Sequence, residues 1–141
     1  MATRRLIHVM RLLGISLATL LGACGKNPTT TDVVGVWVNA DGAQLTLETN
    51  GQFTARGLPT TIFWRRDQPG PAIDGKGTWQ LHEGQPYWEV KLGFDEIGGR
   101  PASREITVLV SGGGASTYLY RWKGEEGEDR YKLERKLPAA R

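Results

Sequence analysis

Residues that commonly carry chemistry are scarce in this sequence of 141 residues. Its one cysteine, Cys24, excludes a disulfide within the chain, so the packing of side chains must supply the stability. Of the two histidines, only His82 follows Cys24, and no nucleophile motif or metal-ligand spacing accompanies it. We therefore expect no catalytic residues, no metal ligands and no cofactor, and we interpret His82 as a solvated residue.

The net charge of +3 arises from 18 basic and 15 acidic residues. The excess lies in the first 23 positions, which hold Arg4, Arg5 and Arg11 and no acid. The positions that follow carry 15 basic and 15 acidic residues, and this balance provides no electrostatic attraction for nucleic acid. We expect no nucleic-acid partner.

The N-terminal segment has the pattern of an export signal. A short basic stretch precedes an apolar run over residues 12–23, which is too short for a membrane-spanning helix of about 20 residues. The run leads into Leu-Gly-Ala-Cys at residues 21–24, which resembles the lipobox of bacterial lipoproteins. The resemblance implies cleavage between Ala23 and Cys24, transfer of a diacylglyceryl group to the Cys24 thiol, and acylation of its amine by a palmitate-type chain.

These signals divide the chain into three parts. Residues 1–23 are predicted to be a signal-peptide helix, and residues 24–32 are predicted to be the acylated Cys24 and a flexible polar tether. Residues 33–141 are the predicted domain, which is long enough for one modest core. We expect it to be lipid-anchored in the cell envelope outside the cytoplasm, on the outer leaflet of the cell membrane or on the outer membrane of a two-membrane bacterium.

From residue 33 onward, apolar residues recur with a period of two, as Trp88, Val90 and Leu92 do, which predicts strands with one buried face. Asp-Gly at 41–42 and Asn-Gly at 50–51 are dipeptides typical of tight hairpin turns. The pattern predicts eight strands, at residues 34–39, 43–49, 52–56, 77–82, 87–93, 105–111, 117–123 and 130–136. Because a meander of strands leaves two open edges unless it closes, we predict an all-β fold, a single up-and-down antiparallel barrel, with a β-sandwich as the alternative.

The first predicted strand begins with Gly-Val-Trp at residues 35–37, and residues 45–53 read LTLETNGQF. Together these residues resemble the start of lipocalin-like barrels, including those of small bacterial lipoproteins. The resemblance implies that Trp37 closes one end of the barrel and that Arg135, in the last strand, stacks on its ring. In the alternative, the valines beside Trp37 face the core.

Residues 57–76 form a connection that is long for a compact barrel and includes Phe63 and Trp64. This segment is either a lid, with Trp64 touching a ligand, or a plug that completes the core. We favour the plug, because large aromatic residues that we expect to point inward reduce the free volume: Trp79, Trp88, Tyr118, Tyr120 and Trp122. The candidates for contacting a ligand or closing the barrel are Trp37, Arg135, Phe63, Trp64, Trp79, Trp88, Tyr118 and Tyr120.

Two groups of acids have no calcium-loop spacing, and we interpret them as solvated turns. They are Asp95 with Glu96, and Glu125, Glu126 and Glu128 with Asp129.

Two functions fit these features. The first is a lipocalin-like module that binds a small apolar or amphipathic molecule of the envelope. The second is a non-enzymatic structural or protein-interaction lipoprotein with a filled barrel, which contacts an envelope protein through its outer face or through a loop at residues 95–104. In both, the lipid anchor holds the domain at the membrane.

Overall fold

The chain forms eight strands and two short helices in the computed structural model, which describes residues 27–124 and 129–137. The strands are β1 (Gly35–Val38), β2 (Gln44–Leu47), β3 (Gln52–Leu58), β4 (Ile73–Glu83), β5 (Trp88–Ile97), β6 (Arg100–Ser111), β7 (Tyr118–Lys123) and β8 (Asp129–Arg135). The helices are α1 (Thr30–Val33) and α2 (Thr60–Phe63), and a 3₁₀ turn covers Gly114–Ser116. The predicted signal peptide, Cys24 and the start of the predicted tether lie outside the described residues.

Each strand pairs with the next along the chain, and β8 returns to pair with β1, so that the sheet closes on itself. At this seam Trp37 is opposite Arg135 and Val38 is opposite Glu134 in antiparallel register. Closure satisfies the backbone hydrogen bonds that an open sheet leaves free at its two edges. The predicted all-β, up-and-down barrel of eight strands is confirmed, and the β-sandwich alternative is wrong.

The first two hairpins depend on turn residues that the sequence analysis identified. Gly42 and Gly51 have positive φ values of 100° and 85°, which residues with a Cβ atom rarely adopt. The Asp41 side chain accepts a hydrogen bond from the Ala43 amide at 2.9 Å, and Asn50 makes the equivalent bond across the next turn at 3.0 Å. These turns fix the register of β1, β2 and β3.

Residues 95–104, predicted to be a loop that contacts partners, are mostly strand. They extend β5 and β6 to a tight turn at residues 98–99, so Asp95 and Glu96 lie on β5 rather than in a loop. A register shift between Phe94 and Glu96 marks a bulge in the β5–β6 pairing. The prediction of a loop is wrong because a bulge interrupts the alternation of apolar and polar residues from which strands are predicted.

Side chains from all eight strands fill the interior of the barrel. Residues at most 2% exposed include Trp37, Leu45, Leu47, Phe53, Ile73, Val90, Leu92, Phe94, Val108, Leu119 and Leu133. Phe53 and Phe94 meet edge to face, with 4.9 Å between their ring centroids. Burial of this apolar surface is the main source of stability, since the single cysteine leaves no disulfide to contribute.

A pair of glycines on β4 and β5 provides a test of this packing. A Cβ atom on Gly77 would lie 1.9 Å from the Gly93 carbonyl oxygen, whereas a Cβ atom on Gly93 would meet no atom closer than 3.7 Å. We expect Gly77→Ala to lower the free energy of unfolding by about 3 kcal/mol, because the strands must move apart. The matched variant Gly93→Ala should change it by less than about 0.5 kcal/mol. Urea unfolding followed by tryptophan fluorescence measures both, and equal effects would contradict the close approach.

Candidate functional site

Trp37, Arg135 and α1 meet at one end of the barrel. The Trp37 side chain is fully buried, and its Nε1 donates a hydrogen bond to the Val33 carbonyl oxygen at 2.8 Å. The Arg135 guanidinium lies over the Trp37 ring, with 4.5 Å between its central carbon and the ring centroid. The stacking that the lipocalin resemblance implied is present, and the valines beside Trp37 are on the outer face of β1.

Arg135 also joins α1 to the barrel. Its guanidinium donates hydrogen bonds to the carbonyl oxygens of Val34, at 2.7 Å, and Asp32. Gly35 makes room for it, because a Cβ atom there would lie 2.6 Å from an Arg135 nitrogen. One side chain therefore links β8, β1 and α1, using the planar fork of donors that only arginine has.

Helix α1 begins inside the segment predicted to be a flexible tether. The Thr29 hydroxyl accepts a hydrogen bond from the Asp32 amide at 3.4 Å, and the Asp32 carboxylate accepts one from the Thr29 amide at 2.8 Å. This reciprocal pair is a capping box, and the backbone hydrogen bond from Thr29 lowers the pKa of Asp32. The last residues of the predicted tether, 29–32, thus hold the cap and the start of α1, although their composition is that of a polar linker.

Helix α2, within residues 57–76, covers the opposite end of the barrel. Phe63 is 3% exposed, belongs to the core and meets Tyr131 edge to face at 5.8 Å between centroids. Arg121 lies over the Phe63 ring at 5.5 Å and donates a hydrogen bond to the Ile62 carbonyl oxygen at 3.1 Å. Helix α2 thus packs as a plug, in agreement with the favoured prediction.

Two polar side chains beneath α2 have partners within the protein. The Tyr131 hydroxyl donates to the Asp41 carboxylate at 2.7 Å, and burial raises the pKa of this phenol. Arg121 donates to the Thr107 carbonyl oxygen at 2.5 Å, and burial, together with the nearby charge of Arg65, lowers its pKa to about 10. Neither group is suited to proton transfer near neutral pH, since both pKa values lie well above it.

Trp64 is half-buried between two arginines. The guanidinium carbons of Arg104 and Arg66 lie 4.2 and 5.2 Å from its ring centroid. Its Nε1 is buried and has no hydrogen-bond partner among the described residues. The neighbouring Arg65 has a φ of 52°, which is uncommon for a residue other than glycine. The two arginines occupy the ring surface that would touch a ligand in the lid alternative.

Two of the tryptophans predicted to point inward do so. Trp79 is 5% exposed within the core, and its Nε1 donates a hydrogen bond to the Glu48 carbonyl oxygen at 2.9 Å. Trp88 is half-buried, shares the inner face of β5 with Val90 and packs against the core. Both rings take up interior volume that a ligand would need.

The aromatic residues of β7 point away from the interior. Leu119 is buried opposite Leu133 in the core, so the alternating residues Tyr118, Tyr120 and Trp122 lie on the outer face. The prediction that these three residues point inward is wrong. The alternation of apolar and polar residues could not reveal this, because apolar residues occupy both the inward-facing and the outward-facing positions of β7.

These three rings and two cations form what we call the outer aromatic face: Tyr118, Tyr120, Trp122, Arg130 and Lys132. The Arg130 guanidinium carbon lies 4.5 Å from the ring centroid of Tyr120 and 4.9 Å from that of Trp122. Lys132 Nζ lies 4.9 Å from the Tyr118 ring, and Arg130 donates a hydrogen bond to the Tyr118 hydroxyl. Sequence reasoning missed the two cations, although their two-residue spacing on β8 matches that of the aromatic residues on β7.

The described chain begins beside this face. Asn27 and Pro28 line a surface groove of about 340 Å³ together with Tyr120 and Arg130. Pro28 is buried, and Tyr120 is only 2% exposed although it points outward. This burial raises the pKa of the Tyr120 phenol, whereas a hydrogen bond with Ser111 lowers that of Tyr118. The start of the described chain and the outer aromatic face therefore lie on the same side of the barrel.

The acids and the histidine considered in the sequence do not converge. Within residues 27–124 and 129–137, no three His, Cys, Asp or Glu side chains form a group that could hold a metal ion. His82 is exposed. Glu96 pairs with Lys76 at 3.2 Å, and Asp129 pairs with Lys123 at 3.4 Å. Glu125, Glu126 and Glu128 lie outside the described residues.

Comparisons with protein-family models, with curated proteins and with solved structures found no match to this chain. The fold defines its class, a closed, up-and-down β-barrel of eight strands. No helix in the described part of the chain is long and apolar enough to cross a bilayer.

The Arg135 contacts lead to a prediction about stability. Arg135→Lys keeps the charge but loses the fork that reaches two carbonyl groups and covers Trp37, so we expect the free energy of unfolding to fall by about 1–3 kcal/mol. Hydrogen exchange at the Val34 amide, which closes α1, should accelerate. Lys136→Ala, at an exposed neighbouring position, is the control and should change stability by less than about 0.5 kcal/mol. Equal stabilities and exchange rates in the two variants would refute this role for Arg135.

Proposed function

We propose that this chain is a membrane-anchored envelope lipoprotein whose barrel is filled by its own side chains and which acts, without catalysis, as a structural or protein-interaction module. The packed interior is the observation that carries this proposal. Arg135 and Trp37 close the barrel at the α1 end, and Phe63 of α2 enters the core at the other. A barrel of this kind presents its outer surface to partners.

The free volume inside the barrel distinguishes between the two functions that the sequence suggested. A barrel of eight strands has room either for side chains or for one small ligand. Here Trp37, Phe53, Trp79 and Phe94 all contribute bulky rings to a continuous core. This packing favours the filled barrel over a lipocalin-like module for an apolar or amphipathic ligand.

Anchoring is supported by the sequence and by the exposure of Asn27. Residues 21–24 resemble a lipobox, and Asn27, three residues after Cys24, is exposed at the protein surface. A thioether-linked diacylglyceryl group and an amide-linked acyl chain on Cys24 would bury many methylenes, each contributing about 0.8 kcal/mol, which is enough for stable attachment. The domain would then be held outside the cytoplasm on the membrane of the cell envelope.

Replacement of Cys24 tests the anchor. In cells fed an alkyne-tagged palmitate, the full chain should be labelled and should fractionate with membranes. Cys24→Ser should abolish labelling and block cleavage, because the sulfur that accepts the diacylglyceryl group is gone. Thr31→Ser, a conservative change at an exposed position, should be labelled like the unaltered chain. Labelling that persists in Cys24→Ser would contradict lipidation at this residue.

Titration with fatty acids tests whether the barrel is filled. We expect a panel of fatty acids to leave the fluorescence of the interior tryptophans of the purified protein unchanged, since Trp37 and Trp79 are surrounded by protein atoms. Trp122→Phe is the control, because it removes the tryptophan of the outer aromatic face and leaves those of the interior. A saturable response that persists in this variant, with one ligand per chain, would establish an interior binding site and overturn the filled barrel.

A further inference from the structure

We propose, building on the anchored lipoprotein above, that the outer aromatic face docks onto the phospholipid headgroups of the bilayer that holds the anchor. The barrel would then lie on its β7–β8 side rather than extend away from the membrane. Three observations support this orientation: the residue types of the face, the short length of chain between Cys24 and Asn27, and the polar outer surface of the opposite side of the barrel, around β3.

The residue types of this face suit the boundary between headgroups and acyl chains. Tyrosine and tryptophan concentrate there, because their rings are apolar and their hydroxyl and indole N–H groups can form hydrogen bonds. Arg130 lies over the Tyr120 ring and Lys132 over the Tyr118 ring, and the charged ends of both side chains are of the kind that pairs with lipid phosphates. Tyr87, which points towards the same region and is 44% exposed, adds a further ring.

The chain length to the anchor keeps this face close to the membrane. Three peptide units separate Cys24 from Asn27, and fully extended they span about 10 Å. Asn27 and Pro28 line the groove that contains Tyr120 and Arg130, so the chain leaves the domain at the outer aromatic face itself. An anchor attached so near will bring this side of the barrel to the headgroup layer more readily than any other.

The opposite wall has a different chemistry. Strand β3 lies four strands away from β7 around the closed barrel. The outward-facing residues of β3 and its neighbours are polar: Gln44, Thr46, Gln52, Thr54, Arg56, Lys76, Thr78 and Gln80. The outer face of β1, next to β8, continues the apolar side with Val36 and Val38. Glu134 is the acid at the margin of the face, opposite Val38.

Docking would orient a protein that the acyl chains already hold. Once Cys24 is embedded, contact between the face and the same bilayer is intramolecular, so weak interactions suffice. Arg130 and Lys132 are attracted to anionic lipids, and this attraction decreases with ionic strength. The polar wall centred on β3 would then face away from the membrane and be open to an envelope protein.

Two labelled positions test this orientation in the full, lipid-modified chain. Acylation consumes the Cys24 thiol, so an introduced cysteine would be the one free thiol of the chain. Glu134→Cys places an environment-sensitive fluorophore at the margin of the outer aromatic face and keeps both of its cations, and Thr54→Cys places the same fluorophore on the opposite wall; both native residues are exposed. In vesicles of phosphatidylethanolamine and phosphatidylglycerol that contain brominated lipid, we expect quenching at position 134 to exceed that at position 54 several-fold.

A charge reversal identifies the residues responsible. Arg130→Glu, combined with the label at position 134, should reduce the quenching towards the value at position 54, because the face loses a cation and gains an anion. Arg56→Glu on the opposite wall is the matched control and should leave the quenching unchanged. Equal reductions by the two variants would mean that only net charge matters, which would overturn docking through this face.

The remaining outcomes distinguish this inference from the proposed function. Equal quenching at positions 134 and 54, in a chain that is lipidated and floats with the vesicles, would overturn the docking while leaving the anchored lipoprotein intact. Equal quenching together with protection of position 134 from an impermeant maleimide in cells would assign the face to a protein partner and also overturn it. A chain that is neither lipidated nor bound to vesicles would refute the proposed function, and with it this inference.

Discussion

The pairing of β8 with β1 is the constraint on which the rest of the structure depends. Without it, the meander would expose two sheet edges and the apolar inner face. The seam is short, with two residue pairs, Trp37 with Arg135 and Val38 with Glu134. The Arg135 guanidinium reinforces it by covering the Trp37 ring and reaching the carbonyl groups of Asp32 and Val34. The closure of the sheet and the docking of α1 are therefore joined in one cluster.

Because the interior of the barrel is closed, contacts with partners are expected on its outer surface. Large side chains fill the barrel, α2 plugs one end, and the Trp37 cluster occupies the other. Function is thus expected on the outside, where one side carries aromatic residues with cations and the opposite wall is polar. The position of Asn27 beside the aromatic side links this asymmetry to the proposed anchor and is the basis of the membrane orientation that we propose.

Much of the barrel could be predicted from the sequence, because one buried face gives period-two alternation and Asn-Gly and Asp-Gly mark hairpins. The Trp37–Arg135 stacking was also foreseen, from the resemblance to lipocalin-like barrels. The alternation of apolar and polar residues did not predict the full length of β5, because a bulge near Phe94 interrupts it. It also did not predict which side chains of β7 face the core, because Leu119 and Tyr120 are both apolar and only the pairing with β8 shows which of them points inward. The capping box at Thr29 was missed because two hydrogen bonds order a segment whose composition is that of a linker.

The central claim is that the barrel contains nothing but its own side chains and is attached to the membrane by Cys24. Mass spectrometry of the protein released from its native membrane tests this most directly, by comparing the mass under native and denaturing conditions. We predict the same mass in both, equal to that of the chain from Cys24 onward plus its covalent acyl groups. An additional small molecule that is present under native conditions and lost on denaturation would contradict the filled barrel, and a mass without acyl groups would contradict the anchor.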